Sequence, residues 1–295
     1  MLKISSFTRF PTLRPRRPAQ SAGQHLPRVP LLAAVAAVVL ALSPPAAAGV
    51  VLAPHSALYA IKLLSARDGS NVNTVSGEMG IKWDAGCSGW AMNHRMLLDV
   101  SYVDGNVVRI TMDASTWESR AGDRYTFSVH TRFNDRTVDR IEGHAVHLPG
   151  RNEAVFTAPE AKVFALPDDV LFPTAHTEVV IAAARDHRKI LPARVFDGFS
   201  VGSAMLVNTV IGRKIPPLGT KEKTFPGLAG QSAWNMQLAF FSAASADAEP
   251  ESEIGTMLYE NGVARRLDMG FDDFKVRADL VKLNLSAPPV CGSTD

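Results

Sequence analysis

The N-terminal part of the sequence lacks both acidic residues and an apolar run long enough to cross a membrane. Residues 31–42 are apolar and uncharged, but the run is about twelve residues long, whereas a membrane-spanning helix needs roughly 20. Six Lys and Arg residues precede this run, and the small residues 43–48 follow it. This order predicts a signal peptide, residues 1–48, that is cleaved near Ala48. An uncleaved anchor or a buried core helix is the alternative.

Two further absences define the export route. No cysteine lies near Ala48, which argues against a lipid-anchored lipoprotein. The pair Arg16-Arg17 is followed by Pro18 and lacks the flanking residues of a twin-arginine signal. We therefore predict ordinary Sec export to the periplasm, with residues 49–295 forming a single soluble domain after cleavage.

The chain has little net charge. It contains 31 basic and 29 acidic residues, which gives +2 at pH 7. Six basic residues leave with the signal peptide, so the mature chain is mildly acidic, with a net charge of about −4. A protein that binds nucleic acid by its charge needs a basic surface, so nucleic-acid partners are excluded.

Cysteine is scarce, with Cys87 near one end of the mature chain and Cys291 near the other. An even count in an exported protein favours a disulfide, and two buried free thiols are the alternative. Such a bond would close a loop of about 205 residues, for which the chain-entropy model gives on the order of 5 kcal/mol as an upper figure. The spacing excludes a CxxC redox motif and a zinc ribbon.

The mature chain lacks the β-α-β alternation, the fixed-period repeats and the clear linkers that would indicate an α/β or multidomain protein. Short runs of alternating or β-branched residues are instead separated by turn residues. Asp104-Gly105-Asn106 and Glu260-Asn261-Gly262 are the strongest hairpin signals. We predict about a dozen strands in an antiparallel sandwich, barrel or curved sheet, at residues 57–63, 79–83, 100–103, 107–112, 125–130, 140–148, 153–156, 193–196, 205–210, 234–241, 255–259, 263–267 and 274–285. Residues 174–188 follow Pro173 with helical spacing and predict one helix, and residues 216–230 predict a long loop.

One serine lies in a motif typical of hydrolases. Residues 198–202 match G-x-S-x-G, which makes Ser200 a candidate nucleophile. That chemistry needs a strand-to-helix turn, whereas a strand is predicted after this motif. We therefore interpret it as a glycine-rich hairpin turn and keep a serine hydrolase as the least favoured function.

No metal or cofactor motif stands out. His144 and His147 are three residues apart, and residues at that spacing on a strand point to opposite faces. The other histidines, His55, His94, His130, His176 and His187, are scattered without an HExxH motif. The acidic pairs at 168–169 and 272–273 are interpreted as solvated turn or cap residues. The sequence also lacks a phosphate-binding glycine loop and a dinucleotide fingerprint, so no catalytic residue, metal or cofactor is predicted.

Apolar aromatic residues remain as the one feature suited to a ligand. They lie on predicted strands or at their ends, and most are expected in the core: Trp83, Trp90, Trp117, Trp234, Phe240 and Phe241. The concave face of an open, curved sheet offers an alternative use, as a binding surface for a peptide or an acyl chain.

Several segments resemble a known family. They are LAPHSALY at 52–59, LFPTAHT at 171–177, VFDG at 195–198 and VIG at 210–212. Together with Cys87 and Cys291, they resemble the EipB family of cell-envelope integrity proteins over about residues 50 to 292, and the L-F-P-T-x-H stretch is the most specific. One departure is Phe199, which stands where a small polar residue is expected after VFDG.

The resemblance implies a periplasmic protein with a spiral-like, many-stranded β sheet. It also implies a disulfide between Cys87 and Cys291, and no established catalytic residues. The leading hypothesis is a non-enzymatic factor that supports envelope integrity under stress by binding an envelope component or a partner protein. A lipid or lipoprotein carrier with a concave apolar face is the alternative, and the oligomeric state remains open.

Overall fold

The computed structural model describes residues 49–242, 249–271 and 273–292. The predicted signal peptide, residues 1–48, lies outside the described residues, and so does Asp272. These described residues belong to one compact unit.

A single fifteen-stranded sheet dominates this unit. Its order is β8-β7-β6-β5-β4-β3-β2-β1-β15-β14-β13-β12-β11-β10-β9. The strands are β1 His55–Ala66, β2 Val72–Ala85, β3 Gly89–Tyr102, β4 Val107–Ser119, β5 Arg124–Phe133, β6 Arg136–Leu148, β7 Arg151–Ala158, β8 Lys162–Ala165, β9 Val170–Leu171, β10 Ile190–Val195, β11 Met205–Ile215, β12 Ala233–Phe241, β13 Ser252–Tyr259, β14 Ala264–Gly270 and β15 Phe274–Leu285. The prediction of a mainly β protein with one many-stranded sheet is confirmed.

Two details of the predicted sheet are corrected. It is not antiparallel throughout, because β9 and β10 pair in parallel. It also has more strands than the dozen predicted, because β8 and β9 have four and two residues and are too short to show a period. The tight turns at 104–106 and 260–262 join β3 to β4 and β13 to β14, as predicted.

Alternating burial, clearest in β1, β5 and β15, defines an inner and an outer face of the sheet. In β1, Ala57, Tyr59 and Ile61 are buried while the residues between them are exposed. The buried side chains of β1–β3 and β13–β15 form one core, which also receives Phe225 and Leu228. These two residues come from the predicted long loop, which contains the short 3₁₀ turns Gly219–Lys221 and Pro226–Leu228. The loop therefore contributes side chains to the core.

The sheet is open because its two edge strands, β8 and β9, do not pair with each other. They are nevertheless consecutive in the chain. β8 and β9 are joined by residues 166–169 and occupy opposite ends of the strand order. Leu166, Val170 and Phe172 pack with Phe196 against the inner face of β5–β7. One edge of the sheet thus folds over the inner face near the other edge.

The single α-helix of the described chain, α1 Pro173–Arg185, packs inside the curved sheet. Val180 packs with Leu191 and Trp234 from β10 and β12. Ile181, on another side of the helix, packs with Trp90 of β3. The helix therefore contacts β10 and β12 on one side and β3 on another.

The helix is shorter than the predicted 174–188. Pro173 is its first residue, where a missing N–H costs nothing. His187 has a φ of 60°, and the N–H of Arg188 bonds to the carbonyl of Ala183 at 2.9 Å. A residue in the left-handed conformation followed by such a hydrogen bond ends a helix. The helical spacing of apolar residues continues past this point, which is why the prediction extends to residue 188.

Candidate functional site

A disulfide joins the turn between β2 and β3 to the C-terminal tail. Cys87 and Cys291 are bonded with their Cα atoms 5.5 Å apart, across a sequence separation of 204. The last described backbone hydrogen bond of the tail runs from the N–H of Ser286 to the carbonyl of Pro54 at 2.8 Å. Val290 is 99% exposed. Within the described residues, the disulfide is therefore the main attachment of the tail beyond Ser286.

The first turn of α1 is held by an acidic side chain from the sheet. Glu118 of β4 is buried and accepts hydrogen bonds from the N–H groups of Thr174 at 2.7 Å and Ala175 at 2.9 Å. Burial raises the pKa of Glu118, and the two N–H donors act against that rise. Sequence reasoning missed this residue. The sequence does contain a signal for it: Glu118 is an acidic residue at every-second-residue spacing from Ala114 and Thr116, on the inward-facing side of β4.

A cavity of about 150 Å³ lies between the first turn of α1 and the inner face of β1–β4. Trp83 and Trp90 form one wall, with ring centroids 5.4 Å apart. The side chain of His55 forms another and packs edge-on to Trp83, with centroids 5.9 Å apart. Tyr59 and Glu118 also line the cavity. It is therefore an aromatic chamber with a few polar groups.

The remaining predicted aromatic residues are not brought to this cavity. Trp234 is fully buried against the helix, as a core residue. Trp117 packs against Gly89, and Phe240 and Phe241 are half-buried near the end of β12. The six residues therefore do not form one continuous concave surface.

A separate ring cluster fills the inner face of β5–β7. Its neighbouring rings have centroids between 5.2 and 6.5 Å apart, and it comprises Tyr125, Phe127, Phe156, Phe164, Phe172 and Phe196. The hydroxyl of Tyr125 donates to the carbonyl of Asp197 at 2.8 Å. This cluster ties the segment after β10 to the sheet.

Residues 198–202 lie in the connection of a hairpin, as predicted, but this connection is longer than a tight turn. β10 and β11 pair, but residues 196–204 between them form a longer loop that packs on the ring cluster. Gly198 has a φ of 72°, and a Cβ there would lie 2.4 Å from Cγ of Phe127. Phe199, the departure from the expected motif, is half-buried against the same cluster. The loop is thus shaped by ring packing.

Ser200 is exposed on this loop, and strand β11 follows it. It lies at an open depression lined by residues that include Phe164, Ser203 and Glu251. No histidine is among the described residues that line this depression. The strand-to-helix turn and the base that a serine nucleophile needs are not found in this part of the described chain.

The histidines do not converge. The register of β6 with β7 is continuous from Gly143 to Leu148, which places His144 and His147 on opposite faces of the sheet, as the spacing predicts. His130 contacts Glu142 at 3.1 Å on the surface, and His187 ends the helix. Among the described residues, no three His, Cys, Asp or Glu side chains are placed to hold a metal ion.

Two other histidines, one half-buried and one buried, are incompletely bonded. The Nε2 atoms of His94 and His176 are buried without a hydrogen-bond partner in the described structure. Burial lowers the pKa of each imidazole to about 4. Both rings are therefore neutral near pH 7. Their protonation lowers the free energy of unfolding.

The acidic pairs have surface partners. Asp168 accepts a hydrogen bond from Asn152 at 2.6 Å, and Asp169 forms an ion pair with Arg194 at 2.6 Å. Asp273 is exposed, and Asp272 lies outside the described residues. These contacts fit the interpretation of solvated turn residues.

Comparisons with known proteins place the chain in a family. The model of the EipB-like family matches residues 46–287. The chain belongs to the EipB-like family. A relative, the cell envelope integrity protein EipB of Brucella abortus, is 27% identical over 244 residues, which cover 81% of this chain and 86% of the relative. The resemblance inferred from the sequence is confirmed.

The fold is shared with a solved structure, a β-barrel-like protein of a domain of unknown function from Brucella abortus. The TM-score is 0.75 at 24% identity, and the match covers 81% of this chain and all of the other. In the described part of this chain, no helix has the length and apolar character to span a membrane.

Proposed function

We propose that this chain is a non-enzymatic periplasmic factor that supports the integrity of the bacterial cell envelope under stress. The observation that carries the proposal is its relation to the cell envelope integrity protein EipB of Brucella abortus, across most of both chains. The N-terminal residues 1–48, with their signal-peptide pattern, support export. The disulfide between Cys87 and Cys291 suits an oxidising compartment.

The interior of the sheet favours action by binding at the outer surface over carriage of a lipid. The helix and its own side chains occupy the inner face, and the cavity beside Trp83 and Trp90 has about 150 Å³. Pockets for drug-sized ligands have roughly 300–1,000 Å³, so this cavity beneath the helix is too small for an acyl chain. We therefore propose that the chain binds an envelope component or a partner protein.

Complementation tests the proposal. A strain of the encoding bacterium that lacks the gene is expected to lose resistance to detergent and to regain it with the full chain or with the Ser200→Ala variant. A variant without residues 2–48 should not protect, because it stays in the cytoplasm. The matched control replaces residues 1–48 by an unrelated Sec signal peptide, which should restore protection. Full protection by the unexported variant, or none by the full chain, contradicts the proposal.

A further inference from the structure

The cavity beside Trp83 and Trp90 is held open by the bonds of its walls. The hydroxyl of Tyr59 donates to the carbonyl of Ala264 at 2.8 Å, and Thr177 donates to the carbonyl of Pro173 at 2.9 Å. The guanidinium of Arg120 lies 4.8 Å from the ring centroid of Trp90. Protein interiors leave few voids larger than a water molecule. Tyr59, Thr177 and Trp90 are therefore held in place at the border of this cavity.

One wall of the cavity carries a hydrogen-bond acceptor without a partner. His55 is 3% exposed, and its Nδ1 atom lies 2.7 Å from the carbonyl oxygen of Ala53. Because a carbonyl only accepts, Nδ1 carries the proton in this bond, and Nε2 of the neutral ring keeps its lone pair. Nothing among the described residues bonds to Nε2. Burial lowers the pKa of His55, which keeps the ring neutral.

The size and the walls of the cavity select a class of ligand. In another protein, an apolar engineered cavity of about 150 Å³ binds benzene, so this volume suits a single six-membered ring. Indole walls favour an aromatic ring in an edge-to-face or offset arrangement. The lone pair of His55 Nε2 calls for one O–H or N–H donor on that ring.

We infer that this cavity is a binding site for a small phenol-like molecule, a single aromatic ring that carries one hydrogen-bond donor. The ring packs against Trp83 and Trp90, and the donor bonds to Nε2 of His55. This inference goes beyond the proposed envelope function and does not depend on it. A cluster of water molecules is the competing occupant.

Titration of the mature protein with phenol and with benzene, followed by proton–nitrogen NMR, tests the inference. The indole N–H signals of Trp83 and Trp90 should shift saturably, and that of Trp234 should stay in place. Phenol should bind about 2–10-fold more tightly than benzene, the range that one net hydrogen bond provides. No saturable shift at either cavity indole, or equal binding of the two ligands, overturns the inference.

Two variants separate the contribution of the ligand's ring to binding from that of its hydrogen-bond donor. Ala264 faces the interior opposite Leu258, so Ala264→Leu should fill the cavity and abolish binding of both ligands. His55→Phe removes the acceptor, so benzene should still bind while the preference for phenol disappears. Unchanged Trp234 signals in the unliganded variants verify the fold. Retained phenol preference in His55→Phe would contradict the role of Nε2, even if Ala264→Leu fails to fold.

Discussion

The inner face of the sheet is densely packed at one place and borders a cavity at another. On β5–β7, aromatic rings pack at centroid distances of 5.2 to 6.5 Å, and Gly198 lies so close to Phe127 that no side chain fits. On β1–β4, the rings of Trp83 and Trp90 border a cavity of about 150 Å³. Both places are rich in aromatic residues. The segment around Phe172 and Phe196 covers the first, and the first turn of α1 covers the second. Dense aromatic packing secures the fold at the first place, whereas fixed walls preserve a space at the second.

The disulfide lies on the cavity side, because Cys87 belongs to the turn that precedes Trp90. Cys87→Ser should lower the free energy of unfolding by up to about 5 kcal/mol, through the unfolded chain. Deletion of residues 287–295 is the matched control and should cost the same, because the described part of this tail, residues 287–292, is mostly exposed. Urea unfolding of both variants measures the two losses, and a much larger loss in the deletion would show that the tail makes contacts of its own.

Acidification should weaken the fold chiefly through His94 and His176, which lie outside the ring cluster, while His55, whose pKa burial also lowers, acts in the same direction. The pKa values of His94 and His176 lie near 4, below the ordinary 6.5. Between pH 6.5 and 4 the unfolded chain therefore binds more protons, and stability falls as the pH falls. Each histidine contributes a slope of about 1.4 kcal/mol per pH unit within this window.

Glu118 changes the free energy of unfolding with pH in the opposite direction to the histidines. Substitution of the histidines is therefore needed to measure their part of the pH dependence. Burial raises the pKa of Glu118, so its protonation at low pH favours the fold. Urea unfolding at several pH values should show that His176→Leu flattens the pH dependence by about one proton, and that adding His94→Gln removes a second. An unchanged slope in the double variant would exclude both imidazoles as its source.

Two glycines with positive φ offer the sharpest contrast between the packed and the open region. A Cβ at Gly198 would lie 2.4 Å from the ring of Phe127, whereas at Gly262 it would lie 2.8 Å from the flexible end of Leu52, beside the cavity. Both alanine variants incur backbone strain of about 1–3 kcal/mol. Gly198→Ala should cost at least about 1 kcal/mol more, since the ring stack cannot yield. Equal losses in thermal unfolding would mean that the ring cluster is as adaptable as the cavity.

The smallest effect is expected at Ser200, which is exposed at the rim of the packed region. Ser200→Ala should change the free energy of unfolding by less than about 0.5 kcal/mol. Any ester hydrolysis by the purified protein should also be unaffected. Loss of a measurable esterase activity in this variant would restore the hydrolase hypothesis.

Local signals predicted most of the sheet but neither its short edge strands nor its cavity. The hairpins at 104–106 and 260–262 were predictable because the turn residues lie beside alternating strands. β9 has two residues and exists because β10 lies beside it, which no local pattern reveals. The cavity joins side chains from distant segments, among them Trp83, Glu118 and Thr174, so no spacing in the sequence predicts it.

The central proposal is that the chain is an exported, oxidised protein whose interior, apart from the small cavity beside Trp83 and Trp90, is occupied by its own residues. Native mass spectrometry of the protein purified from the envelope fraction of its own bacterium tests this most directly, before and after reduction. We expect a chain that begins near Gly49, gains about 2 Da on reduction and carries no acyl chain. A mass that includes residues 1–48, no shift on reduction, or a reproducible added lipid mass would contradict the account.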